Sequence, residues 1–291
     1  MSHHHDDGTQ TEADWASQLD MLERDGELSQ PWVEQAAQWL LVTHPQPPIR
    51  RFVDVGAGPG YAACMFAELL PDATVTAFDP TRPFLDRARE RATALGISSR
   101  FTTHEGELDN DIDAVAPADL IWASRVLHHM ADPVDALRRL CGALAPDGML
   151  AVAEGGLSMR VLPGGYGVAR PSFVHRLEAT VSDYFLHQWS LTESATGGTK
   201  DWPLMMYDAG LQHIESKTFL LEHPAPVDPL VRQHIVDRFT RVRELVADRL
   251  TDEEAGALDR LLDAGDPASL ARRPDLFLLS AYTVHAARRP A

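Results

Sequence analysis

Three glycines at alternate positions follow a short apolar segment, in the run Asp54-Val55-Gly56-Ala57-Gly58-Pro59-Gly60. Glycine lets the backbone turn sharply and lets a ligand approach without a Cβ in the way. The next segment, from Tyr61 to Leu70, is typical of a helix, and a helix N-terminus offers N–H groups without partners. Asp79 follows 19 residues after Gly60, and its carboxylate can accept hydrogen bonds from the vicinal hydroxyls of a ribose. These residues predict a site for a nucleotide-like cofactor.

The spacing of the glycines distinguishes two kinds of cofactor. A dinucleotide-binding loop has the pattern Gly-x-Gly-x-x-Gly. Here Tyr61 stands where that pattern has its third glycine, and Gly60 comes one residue earlier. Because a bulky aromatic residue at the contact between helix and strand disfavours a dinucleotide, the sequence disfavours a nicotinamide-dependent oxidoreductase.

Strand and helix patterns alternate around this loop, which predicts a parallel sheet covered by helices on both faces. Strands are predicted at 51–55, 74–78, 100–104, 120–123 and 149–153, and helices at 61–70, 83–95 and 134–144. Ahead of them, residues 14–24 and 31–42 are predicted as two amphipathic helices, with Ser29 as a possible cap of the second.

The last third of the chain is predicted to return to the same sheet. A helix is expected at 201–210 and strands at 213–221 and 276–286, with helical segments between these strands. Thr251 to Glu254 has the pattern of a capping box. The charges of this late helical stretch are predicted to form a solvated face.

Several ordered segments of the chain resemble class I S-adenosylmethionine-dependent methyltransferases. They are the glycine loop with Asp54, Gly56, Ala57, Gly58 and Gly60, then Asp79 and Pro80, Gly106 and Glu107, residues 118–130, and residues 144–150. The resemblance implies an α/β fold with a doubly wound, mostly parallel, seven-stranded Rossmann-like sheet and helical lid insertions. It implies S-adenosyl-L-methionine as the cofactor, held by the residues just named together with Ser124 and Arg125. Glu107 departs from the family pattern, which usually has aspartate there.

The activity implied by the resemblance is methyl transfer to an O, N or C nucleophile of a small organic molecule, as in bacterial natural-product methyltransferases. A nucleophile that must lose a proton needs a general base, expected beyond the carboxyl ends of the strands. His129 is the first candidate and His128 its rival, since neighbouring residues of an extended or turning segment point apart. Glu154, at the end of the fifth predicted strand, is expected to orient a histidine, take a proton or hold a substrate amine.

The chain is predicted to divide into five stretches. They are a disordered tail at 1–12, a helical lid at 13–48, a cofactor-binding core at 49–154, an acceptor-pocket insertion at 155–200, and the C-terminal part of the core at 201–291 with a helical insertion at about 224–273. The acceptor pocket is predicted to be lined by Tyr184, Phe185, Trp189, Trp202, Met205 and Met206.

Composition limits the partners and the compartment. The net charge of −17 disfavours nucleic acid and anionic membranes, and no apolar run reaches the about 18 residues of a membrane span. Cys64 and Cys141 are predicted to be buried free thiols, which is consistent with the cytoplasm. No metal is predicted, because Glu154 and Asp201 are the only candidate ligands and a metal site needs several clustered carboxylates or amides.

Two functions other than methyl transfer stay open, since a fold does not fix a function. One is an enzyme of the same fold that catalyses a non-methylating cyclisation or rearrangement. The other is a non-catalytic protein that binds an adenosyl ligand. The sequence also leaves a homodimer open.

Overall fold

The computed structural model describes residues 12–43, 48–164, 168, 170, 172–188 and 201–291. Its strands are β1 (Arg51–Val55), β2 (Thr74–Asp79), β3 (Phe101–Glu105), β4 (Ala118–Ser124), β5 (Leu144–Arg160), β6 (Gln212–His223) and β7 (Leu278–Arg288). They form one sheet in the order β3-β2-β1-β4-β5-β7-β6. Neighbours from β3 to β5 are parallel, whereas β7 is antiparallel to both β5 and β6. The predicted seven-stranded, mostly parallel fold class is confirmed.

Helices cover both faces of the sheet. They are α1 (Glu12–Thr43), α2 (Tyr61–Leu69), α3 (Arg82–Ala94), α4 (Leu108–Asp111), α5 (Pro133–Ala143), α6 (Phe173–Gln188), α7 (Trp202–Asp208), α8 (Pro229–Leu245) and α9 (Asp252–Leu262). One core joins α1, α2, α3, α8 and α9 to one face, and a second core joins α5 and α7 to the other. Along β1, Phe52 enters the first core, and Val53 and Val55 enter the second, as alternation along a strand requires.

The two helices predicted before β1 are a single helix, so that prediction is wrong. Helix α1 runs for 32 residues with Pro31 inside it. Proline removes one backbone hydrogen bond and usually ends or kinks a helix. Here Leu28, Trp32 and Ala36 place one buried apolar stripe on both sides of the proline, so packing against the core outweighs the lost bond. Residues 21–26 therefore lie on the same helix as this buried stripe.

The order of the strands defines where a ligand crevice must lie. Strand β1 pairs with β2 on one side and with β4 on the other, so the strand order reverses between β1 and β4. In doubly wound sheets a ligand binds beyond the carboxyl ends of the strands at such a point. The glycine loop leaves β1 there, and the segment that starts at Arg125 leaves β4 beside it.

Two smaller features complete the description. Cys64 is buried and Cys141 half-buried, and both are free thiols, in agreement with the expectation of unpaired cysteines. None of the described helices is both long and apolar enough to cross a membrane. The tail predicted to be disordered lies almost wholly outside the described residues.

Candidate active site

A cavity of about 770 Å³ opens at the carboxyl ends of β1 and β4. Its walls come from α1, the glycine loop, the first turns of α2, the segment after β4, and α8. This volume lies within the usual range for small-molecule sites. The cavity occupies the crevice that the strand order predicts.

The glycine loop forms one wall through Asp54, Gly56, Ala57 and Gly58. Gly58 has a φ of +51°, and a Cβ placed on it would meet no heavy atom within 4 Å, so this side of the loop is open. Gly60, in contrast, has a φ of +78°, and a Cβ there would lie 2.6 Å from the Cβ of Ala88. Gly60 therefore serves the close packing of the loop on α3, which explains its place outside the wall.

The carboxyl group of Asp54 is buried at the end of β1, with 2% of the residue exposed. Its Oδ2 has no hydrogen-bond partner among the described residues. Burial raises the pKa of Asp54 to about 8, a backbone hydrogen bond from Ala63 opposes the rise, and the nearby charge of Asp79 adds to it. Asp54 is consequently neutral at pH 7, and a cation bound beside it would favour loss of its proton.

Asp79 holds the glycine loop to the start of α3. Its Oδ2 accepts a hydrogen bond from the Gly58 N–H at 2.9 Å, and its Oδ1 accepts one from the Thr81 N–H at 2.8 Å. Burial raises the pKa of Asp79, and these hydrogen bonds counteract the rise. Each carboxylate oxygen keeps a second acceptor site. Asp79 is buried and is not among the residues that line the cavity, so its predicted contact with a ribose stays a prediction.

His128 and Glu154 form a hydrogen-bonded pair next to the loop. The Nδ1 of His128 lies 2.8 Å from Oε2 of Glu154, whose residue is 4% exposed. Oε1 of Glu154 accepts the Leu127 backbone N–H at 2.9 Å. Because an ionised carboxylate only accepts hydrogen bonds, Nδ1 of His128 carries the hydrogen and Nε2 is the basic nitrogen of the ring.

His129 does not diverge from His128, so that expectation is wrong. The two rings lie 4.0 Å apart between centroids, and both residues line the cavity. They belong to a short 3₁₀ turn, Leu127–His129, which keeps neighbouring side chains closer than an extended segment would. The bond to Glu154 fixes the orientation of the His128 ring, and the role of either histidine as the base stays a prediction.

The remaining predicted cofactor residues divide into two groups. Ser124 and Arg125 line the cavity. Pro80, Gly106 and Glu107 do not belong to its described wall. A Cβ on Gly106 would lie 2.7 Å from the Cβ of Asp111, and the Glu107 N–H donates to Oδ2 of Asp111 at 2.9 Å. Local packing accounts for both residues, and their contact with a cofactor stays a prediction.

Part of the predicted acceptor pocket is elsewhere. Trp202, Met205 and Met206 are buried in the core on the opposite face of the sheet, so the prediction that they line the pocket is wrong. Tyr184 packs at the edge of the first core, with the Arg249 guanidinium 5.2 Å from its ring centroid. Trp189 and the side chain of Phe185 lie outside the described residues.

Helix α8 presents a polar face to the cavity that was not predicted from the sequence. His234, Arg238 and Arg241 line the cavity together with Val242 and Leu245. Arg238 and Arg241 are exposed, as expected of a solvated face, and they line the cavity in addition, whereas His234 is half-buried. A usable signal was present, because positions 234, 238 and 241 have the helical spacing i, i+4, i+7 and fall on one face.

Helix α1 closes the cavity over the glycine loop. Arg87 and Arg91 of α3 each lie 2.7 Å from Oε1 of Glu23, and Arg125 lies 2.5 Å from Oδ2 of Asp25. A Cβ on Gly26 would lie 2.3 Å from Cδ2 of Tyr61, so the absence of a side chain there permits the close approach. None of these α1 contacts was predicted, because ion pairs between distant segments leave no local pattern.

Four residues that line the cavity carry buried polar atoms without a hydrogen-bond partner among the described residues. The atoms are Oγ of Ser29, Nε1 of Trp32, Oδ2 of Asp54 and Nε1 of Trp122. Buried polar groups in native proteins are nearly always satisfied by protein, water or ligand. Their concentration around one cavity supports a ligand site.

Comparisons with known proteins show that part of the chain is similar to methyltransferases. Residues 53–150 match the family model described as a methyltransferase domain. Among curated relatives, the trans-aconitate 2-methyltransferase of Variovorax paradoxus is 38% identical over 120 residues, which are 40% of this chain and 42% of that protein. The acetylserotonin O-methyltransferase of Mus musculus is 37% identical over 129 residues, which are 42% of this chain and 32% of that protein. The chain thus matches less than half the length of these relatives.

A solved structure with a similar fold is that of the YcgJ protein from Bacillus subtilis. It superposes with a TM-score of 0.50 at 17% sequence identity, covering 89% of this chain and 100% of that one. At this identity the likeness concerns the fold alone. The ordered motifs, the sheet topology and the glycine-loop cavity agree with the similarity of residues 53–150 to a methyltransferase domain.

Proposed function

We propose that the protein transfers a methyl group from S-adenosylmethionine to a nucleophilic atom of a small organic molecule. The observation that carries this proposal is a cavity lined both by the open side of the glycine loop and by His128, whose ring is hydrogen-bonded to Glu154 behind it. Such a cavity brings a cofactor site and a proton acceptor together. Its volume of about 770 Å³ leaves room for an acceptor beside a cofactor.

The residues present fit a cationic nucleoside cofactor. Asp54 offers a buried carboxyl oxygen that lacks a partner, which suits a positively charged group. Asp79 keeps acceptor sites for hydroxyl groups, and Gly58 leaves an open surface for close approach. When bound, S-adenosylmethionine supplies a methyl group on a positively charged sulfur, which is already an activated electrophile.

The chain contributes position, a shaped cavity and a proton acceptor to such a transfer. Glu154 fixes the tautomer and the orientation of His128. His128 then accepts the proton of the acceptor's nucleophile at Nε2, as a general base. Closure by α1 restricts access of water to the cavity.

Calorimetric titration of the protein with S-adenosylmethionine and S-adenosylhomocysteine tests the proposal. We expect both to bind, and Asp79→Ala to weaken binding by more than about 1 kcal/mol, because a charge-assisted contact and an anchor of the glycine loop are both lost. Asp72→Ala, which removes an exposed carboxylate, is the control and leaves affinity unchanged. Failure of the folded wild-type protein to bind either compound would refute the proposal.

The reaction is distinguished from a non-methylating rearrangement by the mass of the product. Incubation with S-adenosylmethionine and bacterial metabolite pools should yield a product heavier than its precursor by one CH₂ unit. Deuterated methyl cofactor should shift that product by a further three mass units, whereas a cyclisation or rearrangement gives no such shift. We retain natural-product biosynthesis and a cytoplasmic location as predictions from the sequence.

A further inference from the structure

We propose that the acceptor carries an anionic group, a carboxylate or a phosphate, which binds at the α8 end of the cavity between Arg238, Arg241 and Arg125. This inference rests on the proposed methyl transfer, since it names the substrate class of the same site. It concerns residues of α8 that neither the sequence motifs nor the methyltransferase match over residues 53–150 assign to a role.

One face of α8 supplies the binding groups. His234, Arg238 and Arg241 are spaced i, i+4 and i+7, and all three line the cavity. Val242 and Leu245 line it beside them. The result is an apolar wall with guanidinium groups at one end, which suits an organic molecule with one charged end.

The charges at this end of the cavity do not cancel. Asp25 is paired with Arg125 at 2.5 Å, and Asp237 is paired with Arg24 at 2.7 Å. Arg238 makes no ion pair with another residue in the described part of the chain. Arg241 donates from Nη1 to the thioether of Met21 at 2.9 Å, a weak acceptor without charge. Two guanidinium groups therefore face the cavity without a carboxylate partner.

The neighbouring groups add hydrogen-bond donors. Burial lowers the pKa of His234, and the charges of Arg238 and Arg125 lower it further against the opposing effect of Asp25 and Asp237, so the ring is neutral at pH 7. Trp32 and Trp122 line the same cavity, and their indole N–H groups, which can only donate, lack partners among the described residues. A lining rich in donors fits a ligand rich in acceptors.

The net charge of the whole chain makes this local charge significant. At −17, the protein as a whole repels small anions, so the exposed Arg238 and Arg241, which line the cavity without a carboxylate partner, provide the local positive charge that attracts one. Guanidinium groups bind carboxylate and phosphate oxygens through two parallel N–H donors. The arginines that line the cavity, and not the composition of the whole chain, therefore favour an anionic ligand.

Matched pairs of probes test the inference by saturation-transfer NMR and calorimetry, with and without saturating S-adenosylhomocysteine. The pairs are 4-hydroxycinnamate with 4-hydroxycinnamamide, and phenyl phosphate with phenyl dimethyl phosphate. We expect the anion of at least one pair to bind about tenfold more tightly than its neutral partner, as charge-assisted hydrogen bonds contribute. The pair in which the anionic probe has the larger affinity relative to its neutral partner identifies carboxylate or phosphate as the group recognised.

Variants of α8 assign the preference to the proposed residues. The double variant Arg238→Gln/Arg241→Gln should reduce the preference for the anion to within about twofold, and Arg238→Glu should abolish anion binding. Arg243→Gln on the same helix is the control, because Arg243 pairs with Asp259 at 2.8 Å and does not line the cavity. Thermal unfolding checks that each variant is folded.

Three results would overturn the inference. They are equal binding of the anionic and neutral probes, no binding of any probe to wild-type protein, and an anion preference that survives the double glutamine variant in folded protein. If the inference fails while S-adenosylhomocysteine still binds, the proposed methyl transfer stands. If S-adenosylhomocysteine does not bind, the proposed function fails by itself.

Discussion

At the scale of single residues, burial changes what two acidic side chains of the cavity region can do. Asp54 sits at the end of β1 with a pKa raised to about 8 by burial, and is a neutral acid at pH 7. Glu154 is equally buried but accepts backbone and imidazole hydrogen bonds. Asp54 carries a proton that a bound cation can displace, and Glu154 fixes the tautomer of His128.

The raised pKa of Asp54 predicts a dependence of stability on pH. The folded state keeps a proton that the unfolded state loses near pH 4, so the free energy of unfolding falls as pH rises from about 4 to about 8, by up to about 1.4 kcal/mol per pH unit. Asp54→Asn removes this contribution. We expect urea denaturation at pH 5, 7 and 9 to show the variant gaining stability relative to wild type as pH rises to 8. If the difference in the free energy of unfolding between the variant and wild type is the same at all three pH values, the pKa assigned to Asp54 is contradicted.

The pairing of His128 with Glu154 predicts a single tautomer. In ¹⁵N spectra of protein labelled at histidine, the neutral ring of His128 should carry its hydrogen on Nδ1, because the carboxylate accepts it. Glu154→Gln should give a mixture of tautomers. Glu178→Gln, whose carboxylate pairs with Arg160 and does not line the cavity, should leave the spectrum unchanged. An unaltered tautomer in Glu154→Gln would remove the orienting role of Glu154.

At the scale of elements, α1 is both part of the core and a cover of the site. Its second half is buried through Trp32, Ala36 and Leu40. Its first half contacts α3 and the segment after β4 through Glu23 and Asp25. We therefore propose that the region before β1 acts as a lid that is anchored at one end by packing.

Two glycine substitutions should have opposite effects on stability, because Gly26 lies at the close contact of α1 with α2 and Gly256 lies on an open face of α9. Gly26→Ala forces a Cβ to 2.3 Å from the Tyr61 ring, and the Arg91 guanidinium packs on the same ring at 3.5 Å from its centroid. We expect a loss of about 1–3 kcal/mol in the free energy of unfolding and weaker binding of S-adenosylhomocysteine. Gly256→Ala, in the exposed interior of α9 with no atom within 4 Å of the new Cβ, should stabilise by about 0.5–1 kcal/mol. If Gly26→Ala and Gly256→Ala change the free energy of unfolding equally, α1 can move away from Tyr61 without cost and the prediction is contradicted.

At the scale of the whole molecule, one sheet carries both cores and the site. Strand β7 pairs with β5 and β6, so the last residues of the chain complete a sheet that begins at residue 51. Helices α1 and α8, which are far apart in the sequence, form walls of one cavity. We expect folding and ligand binding to be coupled throughout the described fold.

This coupling predicts one thermal transition that a cofactor analogue shifts as a whole. S-Adenosylhomocysteine at about 100 times its Kd should stabilise the protein by about 2.7 kcal/mol and raise Tm by several degrees. Calorimetry with and without the ligand measures the shift. Two separate transitions, of which the ligand moves only one, would contradict a single cooperative unit.

Sequence patterns predicted most of the elements because they act over a few residues. The alternation of strands and helices from Arg51 to Ala153, the glycine loop, and the capping box at Thr251 depend on local spacing, and the structure reproduces them. The place of β7 beside β5 was not predictable, since it depends on pairing between segments more than 100 residues apart.

The chain by itself determined the fold class, the position of the glycine loop and the presence of acids and histidines at strand ends. Periodicity and the special backbone of glycine fix these features locally. The tertiary structure alone decided that α1 continues through Pro31, that His128 pairs with Glu154, and that α8 brings Arg238 to the cavity. The physical reason is that burial, ion pairing and hydrogen bonding between distant segments arise only once the chain has folded.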